Sequence, residues 1–181
     1  MKINMLKDYI YTKRIPTPIG DMIACVTNKE LCFLDFCDRK NFEKLFISIQ
    51  KAFNGVIVEE VPTNAHGSLM KRLEEELNEY FKGKRKEFTI PLHVIGTDFQ
   101  KKVWQELLKI PYGKTISYRQ EAINIGNPKS YRAVANANGR NKISIIIPCH
   151  RVIASSGDLG GYGGGIERKQ FLLDLESNNL K

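Results

Sequence analysis

The hydrophobic pattern of the chain changes near Gly96, and this change constrains the fold more than any other feature. Before Gly96, short runs rich in β-branched and aromatic residues ("YIYTKRI", "DMIACVT", "LCFLDF") are separated by the turn signals "PTPIG" and "TNKE". After it, most segments have helical periodicity and capping residues. We therefore predict an α+β N-terminal domain with an antiparallel sheet, residues 1–93, followed by a mostly helical domain, residues 94–181.

The first half also contains helical segments. "RKNFEKLFISIQKAF" places Phe42, Leu45, Phe46 and Ile49 on one face of a helix. The strand "GVIVEEV" follows, then the charged helix "LMKRLEEELNEYFKG", and "FTIPLHV" is a last extended piece. This mixture of strands and helices indicates an α+β fold rather than an all-β fold.

The second half is predicted to contain helices because it has residues that typically begin and end helices. Thr97 is a candidate cap for "DFQKKVWQELLKI", and Ser117 is one for "YRQEAINIG", which Gly126 terminates. "NPKSYRAVANANG" has a proline at a first-turn position and stops at Gly139. Two short helices joined by about three residues fit a helix-turn-helix.

The second helix of this motif carries Lys129, Arg132 and the small residues Ala133, Ala135 and Ala137. Small side chains let a helix approach closely, either to DNA or to a neighbouring helix. The net charge of +8 favours DNA: residues 1–93 carry 15 Lys and Arg against 13 Asp and Glu, a net of +2, and residues 94–181 carry 13 against 7, a net of +6.

The chain has no apolar run of membrane-spanning length and no N-terminal signal-peptide segment, so we expect a cytoplasmic protein without membrane contact. Its four cysteines are then expected to be reduced thiols. Cys25, Cys32 and Cys37 lack the C-x2-C spacing of common zinc sites. A site built from Cys32, Cys37 and a distant histidine is one interpretation, and apolar thiols within strands are the other.

The segment "IPCHRVIASSGDLGGYGGG" places Cys149 beside His150 and ahead of six glycines. A disulfide, a metal site, a nucleophile and an ordinary buried thiol are all compatible with it. Pro148 restricts the backbone before the thiol, and His150 and Arg151 could favour a thiolate. Neighbouring side chains of an extended segment point to opposite faces, so contact between Cys149 and His150 requires a water molecule or a local turn. The glycines suit a backbone that approaches a ligand closely, or a flexible linker.

Four ordered motifs together carry a family resemblance. "IPYGKTISYRQEA", "GNPKSYRAVANANGRN", "IPCHRVIASSGDLGGYGGG" and "FLLDLE" resemble the O6-alkylguanine-DNA alkyltransferase family of direct-reversal DNA repair proteins, from about Asp98 to Glu176. The first half resembles the family more loosely, chiefly through "TPIGDMIA".

The resemblance implies roles for five residues of a reaction centre. Cys149 matches the alkyl acceptor, which displaces guanine in line and keeps the alkyl group as a thioether, so that each molecule acts once. His150 matches a general base that works through a water, and Glu176 matches the carboxylate that orients it. Asn141 matches the residue that ties the recognition region to the active-site segment, and Tyr118 matches the tyrosine that assists guanine departure.

The resemblance also implies how DNA is held. Arg132 matches the finger that enters the minor groove and fills the space of a flipped base, and Ala133 permits close approach. The DNA-binding residues expected from the sequence are Arg132, Tyr118, Ala133, Lys129 and Arg151. Those expected around the flipped base are Val152, Tyr162 and Gly163. Lys142 and Ser144 stand where family members often have prolines.

The function expected from the resemblance is stoichiometric transfer of a methyl or small alkyl group from guanine O6, with thymine O4 as a second substrate, to Cys149. This makes the protein a single-turnover cysteine S-methyltransferase acting on alkylated double-stranded DNA. It is expected to be a monomer with no cofactor and no structural metal. The alternatives are a DNA-binding protein that senses alkyl lesions without repair, and a cysteine hydrolase that uses Cys149 and His150.

Overall fold

The structure, a computed structural model, describes residues 9–27, 29–53, 56–58 and 65–180. Strands β1 (Tyr9–Ile15), β2 (Met22–Val26) and β3 (Leu31–Phe36) form an antiparallel meander, as predicted. A short strand β4 (Val56–Val58) adds to the other side of β1 in parallel, which gives the order β3-β2-β1-β4. It belongs to the predicted strand "GVIVEEV", whose flanking residues 55 and 59–61 lie outside the described residues.

Two helices accompany this sheet. Helix α1 (Phe42–Phe53) packs its apolar face on β3, where Phe33 makes edge contacts with the rings of Phe42 and Phe46. Helix α2 (Ala65–Phe81) begins before the predicted Leu69 and lies against β1 and β2. "FTIPLHV" is extended but makes only an isolated bridge to β3, through Leu31 and Leu92. The predicted α+β character of the first half is confirmed.

The second half is mostly helical, again as predicted. Its helices are α3 (Asp98–Leu107), α4 (Tyr118–Asn124), α5 (Tyr131–Asn138) and α6 (Ile166–Asn178). Thr97 and Gln100 form a reciprocal capping box at α3, and the Ser117 side chain accepts from the Gln120 N–H at α4. Strand β6 (Val152–Ile153) follows the turn that contains Cys149 and pairs in parallel with the short strand β5 (Ile116–Ser117), which precedes α4.

The connection between α4 and α5 is longer than predicted. Gly126 adopts φ +74° and ends α4, with the Asn127 N–H bonded to the Ala122 carbonyl. The Asn127 carbonyl then accepts both the N–H and the side-chain hydroxyl of Ser130. These bonds hold residues 127–130 in a turn, so α5 begins at Tyr131 and the prediction of a helix start at Pro128 is wrong.

A hydrophobic core cluster runs through both halves of the chain. It contains Leu34 and Leu73 from the first half and Trp104 and Ile147 from the second. The segment before Cys149 also pairs with β3: the Leu34 N–H donates to the Lys142 carbonyl, and the Ser144 N–H donates to the Leu34 carbonyl at 2.7 Å. The sheet thereby fixes the approach to the thiol. Among the described residues, no helix combines the length and apolar character needed to cross a membrane.

A tight turn precedes the thiol. Ile145 has φ +73°, a conformation that β-branched residues rarely adopt, and the Ile146 N–H bonds to the Ser144 carbonyl at 2.9 Å. This γ-turn reverses the chain between the pairing with β3 and Cys149. Ile145 is buried, so packing and the flanking ladder bonds hold the strained residue in place.

Candidate active site

Cys149 lies in a single 3-10 turn, Cys149–Arg151, instead of an extended segment. The residue is 7% exposed, and its Sγ atom accepts a hydrogen bond from Asn141 Nδ2 at 3.3 Å. The same Asn141 amide donates to the Ile147 carbonyl at 2.8 Å, and its Oδ1 accepts from the Ile143 N–H. Asn141 therefore connects the end of the helix-turn-helix to the thiol, in the place that the resemblance implies for it.

His150 and Glu176 form a fully buried pair. His150 Nε2 lies 2.7 Å from Glu176 Oε1, while His150 Nδ1 has no hydrogen-bond partner among the described residues. Because an ionised carboxylate only accepts hydrogen bonds, Nε2 must carry the proton of the neutral ring. Nδ1 then holds a free lone pair, which is the arrangement that a general base needs.

Glu176 accepts further hydrogen bonds from groups that the sequence analysis did not identify. Tyr80 Oη donates to Oε1 at 2.7 Å, the Gly113 N–H donates to Oε2 at 2.9 Å, and the Arg151 guanidinium contacts both oxygens. Although burial favours its protonated form, the hydrogen bonds from His150 and Arg151 and the charge of Arg151 help to lower the pKa of Glu176 to about 2. The carboxylate is therefore ionised at neutral pH and fixes the tautomer of His150.

Before the reaction, both the Cys149 thiol and the His150 imidazole are uncharged. Burial raises the pKa of the Cys149 thiol, which the bond from Asn141 and the charges of Arg39 and Lys169 oppose. Burial lowers the pKa of His150, against the attraction of Glu176. The thiol is thus protonated at rest, and its nucleophilic form requires a base nearby.

Arg39, from the first half, reaches into this site. Its guanidinium pairs with buried Asp35 and donates to the carbonyls of Asn141 at 2.8 Å and Gly139 at 2.5 Å. Asp35 also accepts from Ser144 Oγ. Sequence reasoning missed this pair, although an acidic residue inside the apolar strand "LCFLDF", with an arginine four positions later, was an available signal.

A cavity of about 420 Å³ opens onto the thiol. Its lining includes Arg39, Tyr118, Asn138, Cys149, Tyr162 and Gly163. Tyr118 Oη donates to the Gly161 carbonyl at 3.2 Å, and burial raises the pKa of Tyr118 to about 12, so the phenol stays a hydrogen-bond donor at neutral pH. A Cβ atom at Gly163 would lie 2.4 Å from Arg39 Nη2, which explains the glycine by close approach.

Val152, which was expected around the flipped base, is not among the residues that line this cavity. Its side chain is fully buried, and its carbonyl accepts from Lys169 Nζ at 2.6 Å. Lys169 is itself buried and also donates to the carbonyls of Leu159 and Gly161. Burial lowers the pKa of Lys169 to about 8. Sequence reasoning missed this lysine, which ties the glycine-rich loop to β6.

The DNA-binding residues predicted around α5 are exposed, whereas one of the small residues of that helix is buried. Arg132 and Ala133 are exposed at the start of α5, with the Arg132 guanidinium over the Tyr131 ring. Lys129 is also exposed, but it lies in the turn before α5 and not on the helix as predicted. Ala137, in contrast, is buried, and its carbonyl accepts from Trp104 Nε1. Of the small residues on α5, some are therefore free to face a ligand and others pack against α3.

For Arg151, the prediction of DNA binding is wrong. Its guanidinium is buried and bonds to Glu176 and to the Ile110 carbonyl at 2.7 Å. The basic residue is used to neutralise the carboxylate behind His150.

Comparison with known proteins agrees with this geometry. Residues 10–94 match the family model for the ribonuclease-like domain of 6-O-methylguanine DNA methyltransferase, and residues 98–178 match the model for its DNA binding domain. The chain belongs to the 6-O-methylguanine DNA methyltransferase family. The family predicted from the four motifs is thereby confirmed.

Relatives in this family match over nearly the whole chain. The methylated-DNA–protein-cysteine methyltransferase of Methanosarcina barkeri is 42% identical over 175 residues, 95% of this chain and 100% of that protein. The crystal structure of Mycobacterium tuberculosis OGT in complex with DNA has 38% identity and a TM-score of 0.76 over 94% of each chain. The O6-methylguanine-DNA methyltransferase of Pyrococcus kodakaraensis has 25% identity and a TM-score of 0.59, over 92% of this chain and 98% of that one.

Lys142 and Ser144, two polar residues of the segment before Cys149, make contacts with other elements. Lys142 donates to the Ile95 carbonyl at 2.8 Å and lies over the Trp104 ring, and Ser144 bonds to Asp35. Both side chains therefore brace the segment before Cys149 against other elements.

Two of the other three cysteines lie in strands. Cys25 and Cys32 are buried in β2 and β3, and burial raises the pKa of Cys25 to about 12. For Cys25 and Cys32 this arrangement fits the interpretation as apolar thiols within strands, whereas Cys37 follows β3 in a turn and is only partly buried. In the described part of the chain, no three His, Cys, Asp or Glu side chains are grouped so that they could hold a metal ion.

Proposed function

We propose that this protein repairs DNA by moving a methyl or small alkyl group from guanine O6 to Cys149 Sγ, once per molecule. The observation that carries the proposal is a buried thiol at a cavity, held by Asn141 and followed by a buried His150–Glu176 pair. In the step, the sulfur–carbon bond forms as the carbon–oxygen bond breaks, and the electron pair returns to guanine O6. A thioether has no easy return path, so the protein is consumed.

The thiol proton leaves towards His150. Nδ1 makes no hydrogen bond with any described residue, so it is available to accept the Cys149 proton through one water molecule. The resulting imidazolium is stabilised by Glu176, which is ionised at neutral pH and 2.7 Å from Nε2. This arrangement follows the same logic as other nucleophiles that are activated by an oriented base.

Departure of guanine is assisted by Tyr118. Its phenol lines the cavity and stays protonated at neutral pH, so it can donate a hydrogen bond or a proton as negative charge builds on the purine. Tyr162 and Gly163 line the same cavity, where the main chain of the loop can read the guanine edge.

DNA binds through the second half of the chain, with the lesion base flipped into the cavity. The thiol of a residue that is only 7% exposed cannot reach an alkyl carbon inside a stacked base pair. Arg132 and Ala133 are exposed at the start of α5, which suits entry of the arginine into the minor groove with a close approach of the helix. Lys129 adds a phosphate contact.

We further propose a functional boundary near residue 94, monomeric action and a cytoplasmic location. The first half carries the sheet that supports the site through Arg39, and the second carries the nucleophile and the DNA-facing helix. Since a lesion can lie anywhere, binding is expected to show no sequence preference.

The decisive experiment is incubation with a duplex that carries one O6-methylguanine, followed by intact and peptide mass spectrometry, with Cys149→Ser alongside. One added methyl group on Cys149, absent from the variant, is the expected result. Binding without any gain of mass would support a lesion-sensing protein instead. Repeated turnover of substrate would favour a hydrolase.

A further inference from the structure

Glu121 is a buried acid with an incomplete set of hydrogen bonds. It is 0% exposed on α4, and its Oε2 accepts from Asn138 Nδ2 at 2.7 Å. Among the described residues, its Oε1 has no hydrogen-bond partner, and neither does Asn138 Oδ1. Glu121 and Asn138 therefore share one hydrogen bond, and each of them has a second, buried oxygen that lacks a donor.

A single proton removes this deficit. A protonated carboxyl donates from one oxygen and accepts at the other, which is complementary to an amide that donates from nitrogen and accepts at oxygen. A carboxylate here would instead be a buried charge without a partner, which is strongly unfavourable.

The surroundings of Glu121 also favour the uncharged form. The described residues place no cation in ion-pairing contact with it, and the titratable groups that face it are Glu106 on α3 and Tyr118 on its own helix. Burial, together with the negative charge of Glu106, raises the pKa of Glu121 to about 8, against the hydrogen bond from Asn138.

We propose that Glu121 is an uncharged acid at neutral pH, forms two reciprocal hydrogen bonds with Asn138, and is a positioning residue for the alkyl-transfer site. Asn138 lines the cavity, and its carbonyl accepts the Asn141 N–H at 3.1 Å. Asn141 in turn holds Cys149 Sγ. Glu121 sits one turn from Tyr118 on α4, so the pair joins two walls of the cavity. The functional part of this inference rests on the proposed function.

The test uses Glu121→Gln, because a glutamine makes both hydrogen bonds with Asn138 at every pH. Infrared difference spectra of the whole protein should show an acid carbonyl band at pH 7 that is absent from E121Q and disappears as the pH passes about 8. Glu106→Gln removes the facing charge and should move this disappearance to lower pH. Absence of such a band in the wild type at pH 7 would overturn the proposal.

Stability provides a second readout that needs no activity. The ordinary pKa of a glutamate is 4.5 and the folded value is raised, so the stability due to this proton is complete below about 4.5 and is lost as the pH rises to about 8. The melting temperature of the wild type relative to E121Q should fall by roughly 4 °C per pH unit across this range and then level off. A difference that does not change with pH contradicts the proposal.

Transfer kinetics test the positioning role. The ratio of wild-type to E121Q rates on methylated duplex cancels the titration of Cys149 and His150, and should fall several-fold as the pH passes about 8. A constant ratio would show that the pair is structural only and would overturn the positioning role. If neither protein transfers any methyl group, the proposed function fails. The infrared and melting measurements then still test whether Glu121 and Asn138 form the acid–amide pair.

Discussion

At the scale of single residues, Glu176 is the group on which the polar contacts of the site converge. It accepts from His150, Arg151, Tyr80 and the Gly113 main chain, and it is completely buried. A buried carboxylate with this many donors is far more stable when ionised than when protonated. The carboxylate therefore both supports the fold and selects the tautomer of His150.

Replacing Glu176 with glutamine is expected to lower the free energy of unfolding by about 3 kcal/mol at pH 7, because Arg151 loses its buried partner. The pKa of Glu176 is lowered from 4.5 to about 2, so its stabilisation is present above about 4.5 and is lost as the pH falls towards 2. Urea denaturation of both proteins between pH 7 and pH 3 measures this. A difference that stays constant over the range would show that ionisation of Glu176 does not stabilise the fold.

At the scale of secondary-structure elements, the caps and the glycine-rich loop show how local chemistry places the site. Ser117 caps α4 and so fixes Tyr118 at the start of that helix. Ser130 stands at the same point of α5 but bonds to the Asn127 carbonyl instead of capping the helix. Lys169 on α6 holds the loop that carries Tyr162 and Gly163.

Ser117→Ala is expected to cost about 1 kcal/mol of stability, because the Gln120 N–H loses its partner. Ser130→Ala is the matched control, which removes a hydroxyl from the start of α5 without removing a cap. We expect it to cost less than half as much in thermal unfolding. Equal losses would show that the Ser117 cap has no special role.

Lys169→Met is expected to free the loop, because three main-chain carbonyls lose their shared donor. Amide exchange in residues 159–163 should accelerate, and methyl transfer should slow roughly tenfold as the cavity wall loses its position. Glu167→Gln, on the same helix but exposed, should leave both unchanged. If the amide exchange rate of this loop in Lys169→Met equals that of the wild type, this role of Lys169 is contradicted.

At the scale of the whole molecule, the site lies between the two halves. Arg39 holds the Asn141 segment, Tyr80 bonds to Glu176, and Leu34 pairs with the chain before the γ-turn. The nucleophile therefore lies in the second half, but its geometry depends on the first. Most of the net positive charge, by contrast, lies in the second half, which carries +6 of the total of +8.

This charge distribution predicts how salt affects DNA binding. Affinity should fall as salt rises, because contacts with phosphates release counterions. Lys129→Ala should reduce the slope of log affinity against log salt by about 1. Lys51, which is exposed on α1, serves as the control, and Lys51→Ala should not change the slope. Fluorescence anisotropy titrations at several salt concentrations test this, and a slope that Lys129→Ala leaves unchanged would remove that residue from the interface.

The sequence by itself determined the features that depend on neighbouring residues. Turn signals and strand periodicity defined β1 to β3, and the caps at Thr97 and Ser117 defined two helix starts. The ordered motifs around Cys149 defined the family. These features are local because caps, turns and short motifs act over a few positions of the chain.

Only the tertiary structure decided which charged residues meet. Arg151 looked like a DNA contact, but the fold buries it against Glu176, and Arg39, Tyr80 and Lys169 join the site from distant positions. The delayed start of α5 also depended on a turn that the helix signals did not reveal. Burial and ion pairing depend on which surfaces face each other across the core, and that information is absent from spacing along the chain.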